Sequence, residues 1–114
     1  MEPNTRKLYR YDAIRSWPVS DGWLDGWSIC PDDPNFGVRI AAKAYIHPSV
    51  LLGSGAVVES GAAVEFGVVV GTWATVGSNA TIKSGTVIGS KARIGAGSVV
   101  EAGEVVGVGE EVRQ

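Results

Sequence analysis

Residues 40–112 read IAAKAYIHPSVLLGSGAVVESGAAVEFGVVVGTWATVGSNATIKSGTVIGSKARIGAGSVVEAGEVVGVGEEV. Every sixth residue of this run is Ile, Leu or Val: Ile40, Ile46, Leu52, Val58, Val64, Val70, Val76, Ile82, Ile88, Ile94, Val100, Val106 and Val112. Neither a helix period near 3.6 nor a strand period of about 2 produces that register. A fixed short repeat marks a solenoid, and hexapeptide repeats mark a parallel β-helix. Four residues after each aliphatic position stands a second column of small or short side chains, running from Ala44 and Val50 to Ala92 and Ser98. Only Glu104 and Glu110, at the far end, break it. Three residues after the aliphatic position glycine recurs, at Gly55, Gly61, Gly67, Gly85, Gly97, Gly103 and Gly109. These are the expected corners, where a backbone without a Cβ turns most easily.

This pattern resembles the hexapeptide-repeat, left-handed parallel β-helix superfamily, whose best-known members are acyltransferases and γ-class carbonic anhydrases. The resemblance covers about two thirds of the chain. It is specific for fold rather than for activity, because function sits in sites grafted on a fold. It implies an all-β fold in which three hexads make one triangular coil, so that residues 40–111 form twelve hexads and four coils. It also implies the left-handed crossover, against the usual right-handed rule for parallel strands. A homotrimer, with ligands held in clefts between chains, follows from the same resemblance.

The expected organisation is an N-terminal cap or arm over residues 1–39 and the repeat over residues 40–114, together one domain. The net charge of −2 and the pI near 5.3 argue against general nucleic-acid binding. A single cysteine, Cys30, excludes an internal disulfide framework and reads as a small buried side chain. Glu59 and Glu65 interrupt the longest apolar run, so no membrane span is expected, and the opening Met-Glu-Pro-Asn is unlike a secretory signal. The expected location is the cytoplasm.

Residues 9–39 carry no repeat but hold six of the nine aromatic side chains: Tyr9, Tyr11, Trp17, Trp23, Trp27 and Phe36. Prolines and glycines punctuate this segment and forbid a long helix, leaving room for a helical turn around Tyr11–Trp17. An open β-helix end exposes backbone groups and an apolar cross-section, so terminal repeats need a cap. The aromatics are therefore expected to plug the first coil or strap a neighbouring chain. The competing reading brings Tyr9, Arg10, Tyr11 and Arg15 to a ligand.

The segment Ile46-His47-Pro48-Ser49-Val50 resembles the first rung of many acyltransferases of the superfamily. His47 is the only histidine, so a zinc site of several histidines cannot be assembled within one chain. As a general base it would need a partner and a substrate pocket. It reads as an edge residue near the cap. No resident cofactor or metal is expected, and no catalytic residue is assigned. Twelve hexads run without an insertion, so there is no protruding loop of the kind that carries catalysis in the superfamily.

Side chains alternate in and out along a strand, so the residues flanking each inward aliphatic point outward. Two faces then show mixed polar residues. The third shows Leu51, Val69, Val87 and Val105 before the aliphatic, and Gly53, Gly71, Gly89 and Gly107 after it. A flat apolar stripe on so small a protein reads as a self-association face, with glycine letting another backbone come close. At the corner leaving that face, Trp73 stands where glycine is expected, with Thr72 before it and Thr75 two residues after; Lys91 lies one coil further, and Arg93 two residues beyond Lys91. An aromatic ring beside two cations suits a flat anionic compound, nucleotide-like for preference; the competing reading makes Trp73 an interface anchor with Lys91 and Arg93 solvated. The functional expectation is a non-catalytic homotrimer that binds such a ligand between subunits. Its rivals are an acyl-coenzyme-A-dependent acyltransferase and a purely structural trimer, such as a virion or scaffold component.

Overall fold

The computed structural model describes residues 8–19 and 26–113. The arm contains β1 (Leu8–Arg10), α1 (Tyr11–Ile14), β2 (Ser28–Cys30) and β3 (Asp33–Ile40). Short strands then recur every six residues: β4 (Tyr45–Ile46), β5 (Leu51–Gly53), β6 (Val57–Val58), β7 (Ala63–Val64), β8 (Val69–Val70), β9 (Thr75–Val76), β10 (Thr81–Ile82), β11 (Val87–Ile88), β12 (Arg93–Ile94), β13 (Val99–Val100), β14 (Val105–Val106) and β15 (Glu111–Val112). The repeat strands stack in parallel into three sheets, β5-β8-β11-β14, β4-β7-β10-β13 and β3-β6-β9-β12-β15. Val69 pairs with Val87 and Val87 with Val105, a step of 18 residues, so three hexads make one coil. The result is an all-β solenoid of about four turns, as the hexad period predicts.

Both inward columns fill the prism. From Ile46 to Val106 every sixth aliphatic is buried, and Val50, Ala56, Ala62, Val68, Ala74, Ala80, Thr86, Ala92 and Ser98 are buried beside it. The second column is small because it sits next to a corner, where two sheets converge. Thr86 meets the cost of burying a hydroxyl by sharing it between the carbonyls of Lys83 (2.8 Å) and Glu101 (3.0 Å). Ser98, only 2% exposed, finds no hydrogen-bond partner for Oγ among the described residues.

The corner glycines behave as the sequence predicts. Gly55, Gly61, Gly67, Gly85, Gly97, Gly103 and Gly109 all have φ between 71° and 80°. The face glycines serve another purpose. A Cβ on Gly71 would stand 2.7 Å from the backbone of Gly89 and Ser90, and one on Gly89 would stand 2.8 Å from Gly107 and Val108. The space they leave is taken by the next coil of the same chain, which accounts for this column without a second molecule.

The first coil is closed by the arm. β1 pairs antiparallel with β5, and β2 with β3. The amides of Tyr11 and Asp12 donate to the carbonyls of Val50 (2.7 Å) and Pro48 (3.0 Å), so α1 continues the cover. Tyr9, Trp17 and Phe36 meet edge to face, with ring centroids 4.7–5.7 Å apart. Ile14, Trp17, Cys30, Phe36 and Val38 are buried with them, continuous with the solenoid core. At the other end the Glu110 carboxylate accepts the Gly107 amide at 2.6 Å. In earlier coils that donor, on Gly71 or Gly89, reaches a carbonyl of the following coil.

Three stability outcomes follow from this packing. Gly71→Ala should cost about 3 kcal/mol, because rigid backbone must give way. Gly103→Ala, at a corner with nothing within 4 Å, should cost only the left-handed strain of about 1 kcal/mol. Ser98→Ala should instead stabilise the chain by about 1 kcal/mol, since it removes a buried hydroxyl without a partner. Urea unfolding of the variants measures all three, and equal losses at Gly71 and Gly103 would contradict the packing argument.

Candidate functional site

The corner between the β5 sheet and the β3 sheet stacks Gly55, Trp73, Lys91 and Gly109. Each amide donates to the neighbouring coil: Gly55 to Gly37 (2.7 Å), Trp73 to Ser54 (2.9 Å), Lys91 to Thr72 (2.8 Å) and Gly109 to Ser90 (2.9 Å). That ladder holds every corner residue in the left-handed region, and Trp73 and Lys91 both have φ of 64°. Such a conformation is strained for a residue with a Cβ.

Trp73 is 58% exposed, and its indole leans over Gly55 toward the capped end. A Cβ on Gly55 would collide with ring atoms Cε3, Cδ2 and Cζ3, so glycine at 55 is what lets the ring lie there. Between this ring and Trp27 of the arm opens a groove of about 280 Å³. Trp27, Pro34 and Trp73 line it with apolar side chains and Gly37 and Gly55 with backbone, while Asn35 and Ser54 stand at its rim. Among the described residues no charged side chain lines it. The Ser54 hydroxyl donates to the Asn35 carbonyl (3.2 Å), and the Asn35 amide donates to Asp33 Oδ1 (3.1 Å), which fixes the rim.

The other residues expected at this corner are distributed around it. Thr72 is 3% exposed, its side chain filling the space that Gly53 leaves. Lys91 is exposed, one coil away on the far side of the Trp73 ring, and the two form no cation–π pair among the described residues. Arg93 and Thr75 pair in register on the outer surface of the β3 sheet, in a shallow groove with Glu59 and Glu111. Neither Lys91 nor Arg93 takes part in an ion pair among the described residues; those formed are Arg15–Asp12, Lys83–Glu101 and Arg113–Glu111. Tyr9 lies in the cap, packed on Trp17 and Phe36, with Arg10 pairing Leu51 and pointing out. Tyr11 and Arg15 border a separate hollow with Ile14 and Ile40. None of these four lines the Trp73 groove.

His47 is half-buried and serves a turn. Its Nδ1 accepts the Ser49 amide (3.1 Å) and lies 2.9 Å from Ser49 Oγ, which in turn accepts the Gly67 amide (3.1 Å). No carboxylate is among these partners. Among the described residues no three His, Cys, Asp or Glu side chains gather as a metal site, and no helix is long and apolar enough to cross a membrane.

The outer face of the β5 sheet carries Leu51 and Val69, half-buried, then Val87 and Val105, the latter 72% exposed. Leu8 on β1 extends the apolar surface onto the cap. Phe66, 60% exposed at the corner where the chain enters this sheet, borders it on one side as Trp73 does on the other. Phe66 was visible in the sequence as the one aromatic in its hexad column. Trp27 was not, because the arm has no period to compare it with.

A family model described as the hexapeptide repeat of succinyl-transferase matches residues 67–102. The chain fits the hexapeptide-repeat β-helix superfamily. The match begins at corner glycine Gly67 and includes Trp73, Lys91 and Arg93, so the anomalous corner lies within the recognised repeat. No curated protein matches the chain.

In a hexapeptide-repeat solenoid glycine is the less strained choice at a corner. Lys91→Gly should therefore raise stability by up to about 1 kcal/mol in urea unfolding. A loss of stability would mean that the Lys91 side chain holds the fold in place.

Proposed function

We propose that the chain is a non-catalytic, homotrimeric β-helix module that holds a small, flat, anionic ligand in the clefts between its copies. The observation that carries this reading is the outer face of the β5 sheet, where Leu51, Val69, Val87 and Val105 follow one another without a charged side chain between them, with Leu8 and Arg10 of β1 flanking Leu51 at the capped end. The opposite columns of the other two sheets carry Glu59, Lys83, Arg93, Glu101 and Glu111. A contiguous apolar surface of this kind on a small protein favours association. Phe66 at its edge supplies the large, well-defined anchor that such interfaces use.

The Trp73 corner borders that face, so a second copy seated on it would deepen the groove there. Lys91 and Arg93 support an anion because both are exposed and outside the ion pairs described above. A nucleotide-like compound joins the two features, a ring for the indole and phosphate for the cations. The repeat family's succinyl-transferase description favours one alternative, an acyltransferase using coenzyme A. His47, tied to its own turn, gives that alternative no activated base.

Val69→Lys with Val87→Lys should convert the oligomer to monomer or precipitate, as measured by light scattering; an unchanged oligomer would rule out this face. A thermal-shift screen of nucleotides, cyclic nucleotides and coenzyme A tests the ligand. A true ligand at 100 times its Kd should add about 2.7 kcal/mol of stability, and Trp73→Ala should abolish the shift. A response to coenzyme A alone, with thiol release from acetyl-coenzyme A, would establish the acyltransferase instead. No response in protein shown to be oligomeric would leave a purely structural module.

A further inference from the structure

The inter-chain cleft needs a second copy, but the groove between Trp27 and Trp73 is built by one chain. We infer that this groove is a ring-binding slot complete within a single chain, and that it takes an uncharged planar heteroaromatic ring of the nucleobase type. This rests on the ligand reading above and names the part of the ligand that the chain holds without a partner.

Size, walls and polarity each point to that occupant. A groove of about 280 Å³ is the scale of one ring system with its substituents. Two indoles and Pro34 make its walls, and aromatic faces stack on any heteroaromatic base. Gly37 and Gly55 lie behind it, their missing side chains leaving room for Ile29 and for the Trp73 indole that forms one side of the slot. Among the described residues no Lys, Arg, Asp or Glu lines the slot, so a group seated in it meets no counter-charge from them and is neutral.

Asn35 supplies the specificity. Its backbone is anchored on both sides, through the Asp33 carboxylate and the Ser54 hydroxyl. Its side-chain amide has no partner among the described residues and stands exposed at the rim. An amide offers one acceptor and two donors, which match the adjacent ring nitrogen and amino group of a base edge. The position of Trp73 fits the same reading. The residue is held at φ 64°, with the indole laid over Gly55 and much of the ring open to solvent. Strain held at an exposed aromatic residue is characteristic of a ligand clamp.

The test is an amide and indole NMR titration of the full chain with adenosine, which is uncharged, alongside AMP and ribose. Adenosine should move the indole signals of Trp27 and Trp73 and the side-chain amide of Asn35, leave Trp17 in place, and ribose should move none. Trp27→Ala or Trp73→Ala should weaken adenosine at least about tenfold, and the exposed Asn35→Ala, which leaves the fold intact, should weaken it too. Val69→Lys with Val87→Lys should bind adenosine as the parent does; a diluted, monomeric parent serves if that variant does not fold. Adenosine without effect on Trp27 and Trp73 overturns the slot, and AMP then moving Lys91 and Arg93 alone would leave the anion cleft standing. Adenosine binding that is lost in the monomer also overturns the slot, while keeping the inter-chain cleft. Adenosine bound as tightly as AMP supports the slot and removes the anionic part of the functional reading.

Discussion

The backbone ladder between coils is the constraint on which everything else in this molecule rests. Each strand donates to the coil that follows, as Val57 does to Ala74 and Val69 to Thr86. That pairing sets a spacing of about 4.8 Å between successive coils. A side chain directed along the stack has nowhere to go at that distance. Gly71, Gly77 and Gly89 are glycine because each would otherwise press a Cβ to within 2.7–2.8 Å of the next coil's backbone. The inward columns are the complement of the same rule: branched aliphatics on the flat of each sheet, Ala and Val where two sheets meet. Hydrophobic burial supplies the driving force, but the ladder decides which side chains can take part.

A ladder must also end, and the two ends are treated differently. The arm lays β1 and β2 antiparallel against the first coil and closes the core with Tyr9, Trp17 and Phe36. At the far end the sequence places Glu104 and Glu110 in the small inward column, both exposed. Glu110 turns its carboxylate to the Gly107 amide and satisfies a donor that has no following coil to reach among the described residues. A charge at that position also discourages another strand from adding to the edge. The same column that builds the core upstream thus turns charged and exposed downstream by changing residue type.

The solenoid was legible because its rules repeat. Thirteen aliphatic positions and the corner glycines reveal the period directly, and the coil length follows once three hexads are grouped. The arm resisted because each of its contacts occurs once. Nothing in the spacing of Trp17, Trp27 and Phe36 tells which will enter the core, yet Trp17 and Phe36 are buried while Trp27 lines a groove. The corner was half legible. Trp73 stood out as a missing glycine, but whether its ring would turn toward Lys91 or toward the cap depends on Gly55, which leaves the space on that side. Arg93 looked adjacent in sequence, and the bend of the corner instead puts it on the β3 sheet beside Glu59 and Glu111. The face glycines read in the sequence as room for another chain's backbone, and at Gly71 and Gly89 the chain's own next coil takes that room.

Three left-handed corners depart from glycine, and comparing them separates local stability from function. Asn79 has φ 60°, but asparagine tolerates the left-handed region, and its Oδ1 lies over Gly61 as a local polar contact. Trp73 and Lys91 have no such intrinsic tolerance. For each, the left-handed backbone costs about 1–2 kcal/mol relative to an unstrained residue, and glycine at Gly55, Gly85 or Gly103 shows that the solenoid forms without them. Trp73 recovers part of that cost by packing on Gly55, yet more than half of its surface remains open. Lys91 is exposed and makes no ion pair among the described residues that would recover it. Two adjacent coils therefore keep an aromatic ring and a cation where the fold itself prefers glycine, and both lie along one corner, beside the apolar face and the Trp27 groove. Stability does not account for that pairing, and this is the ground on which a ligand or a second copy is proposed at this corner.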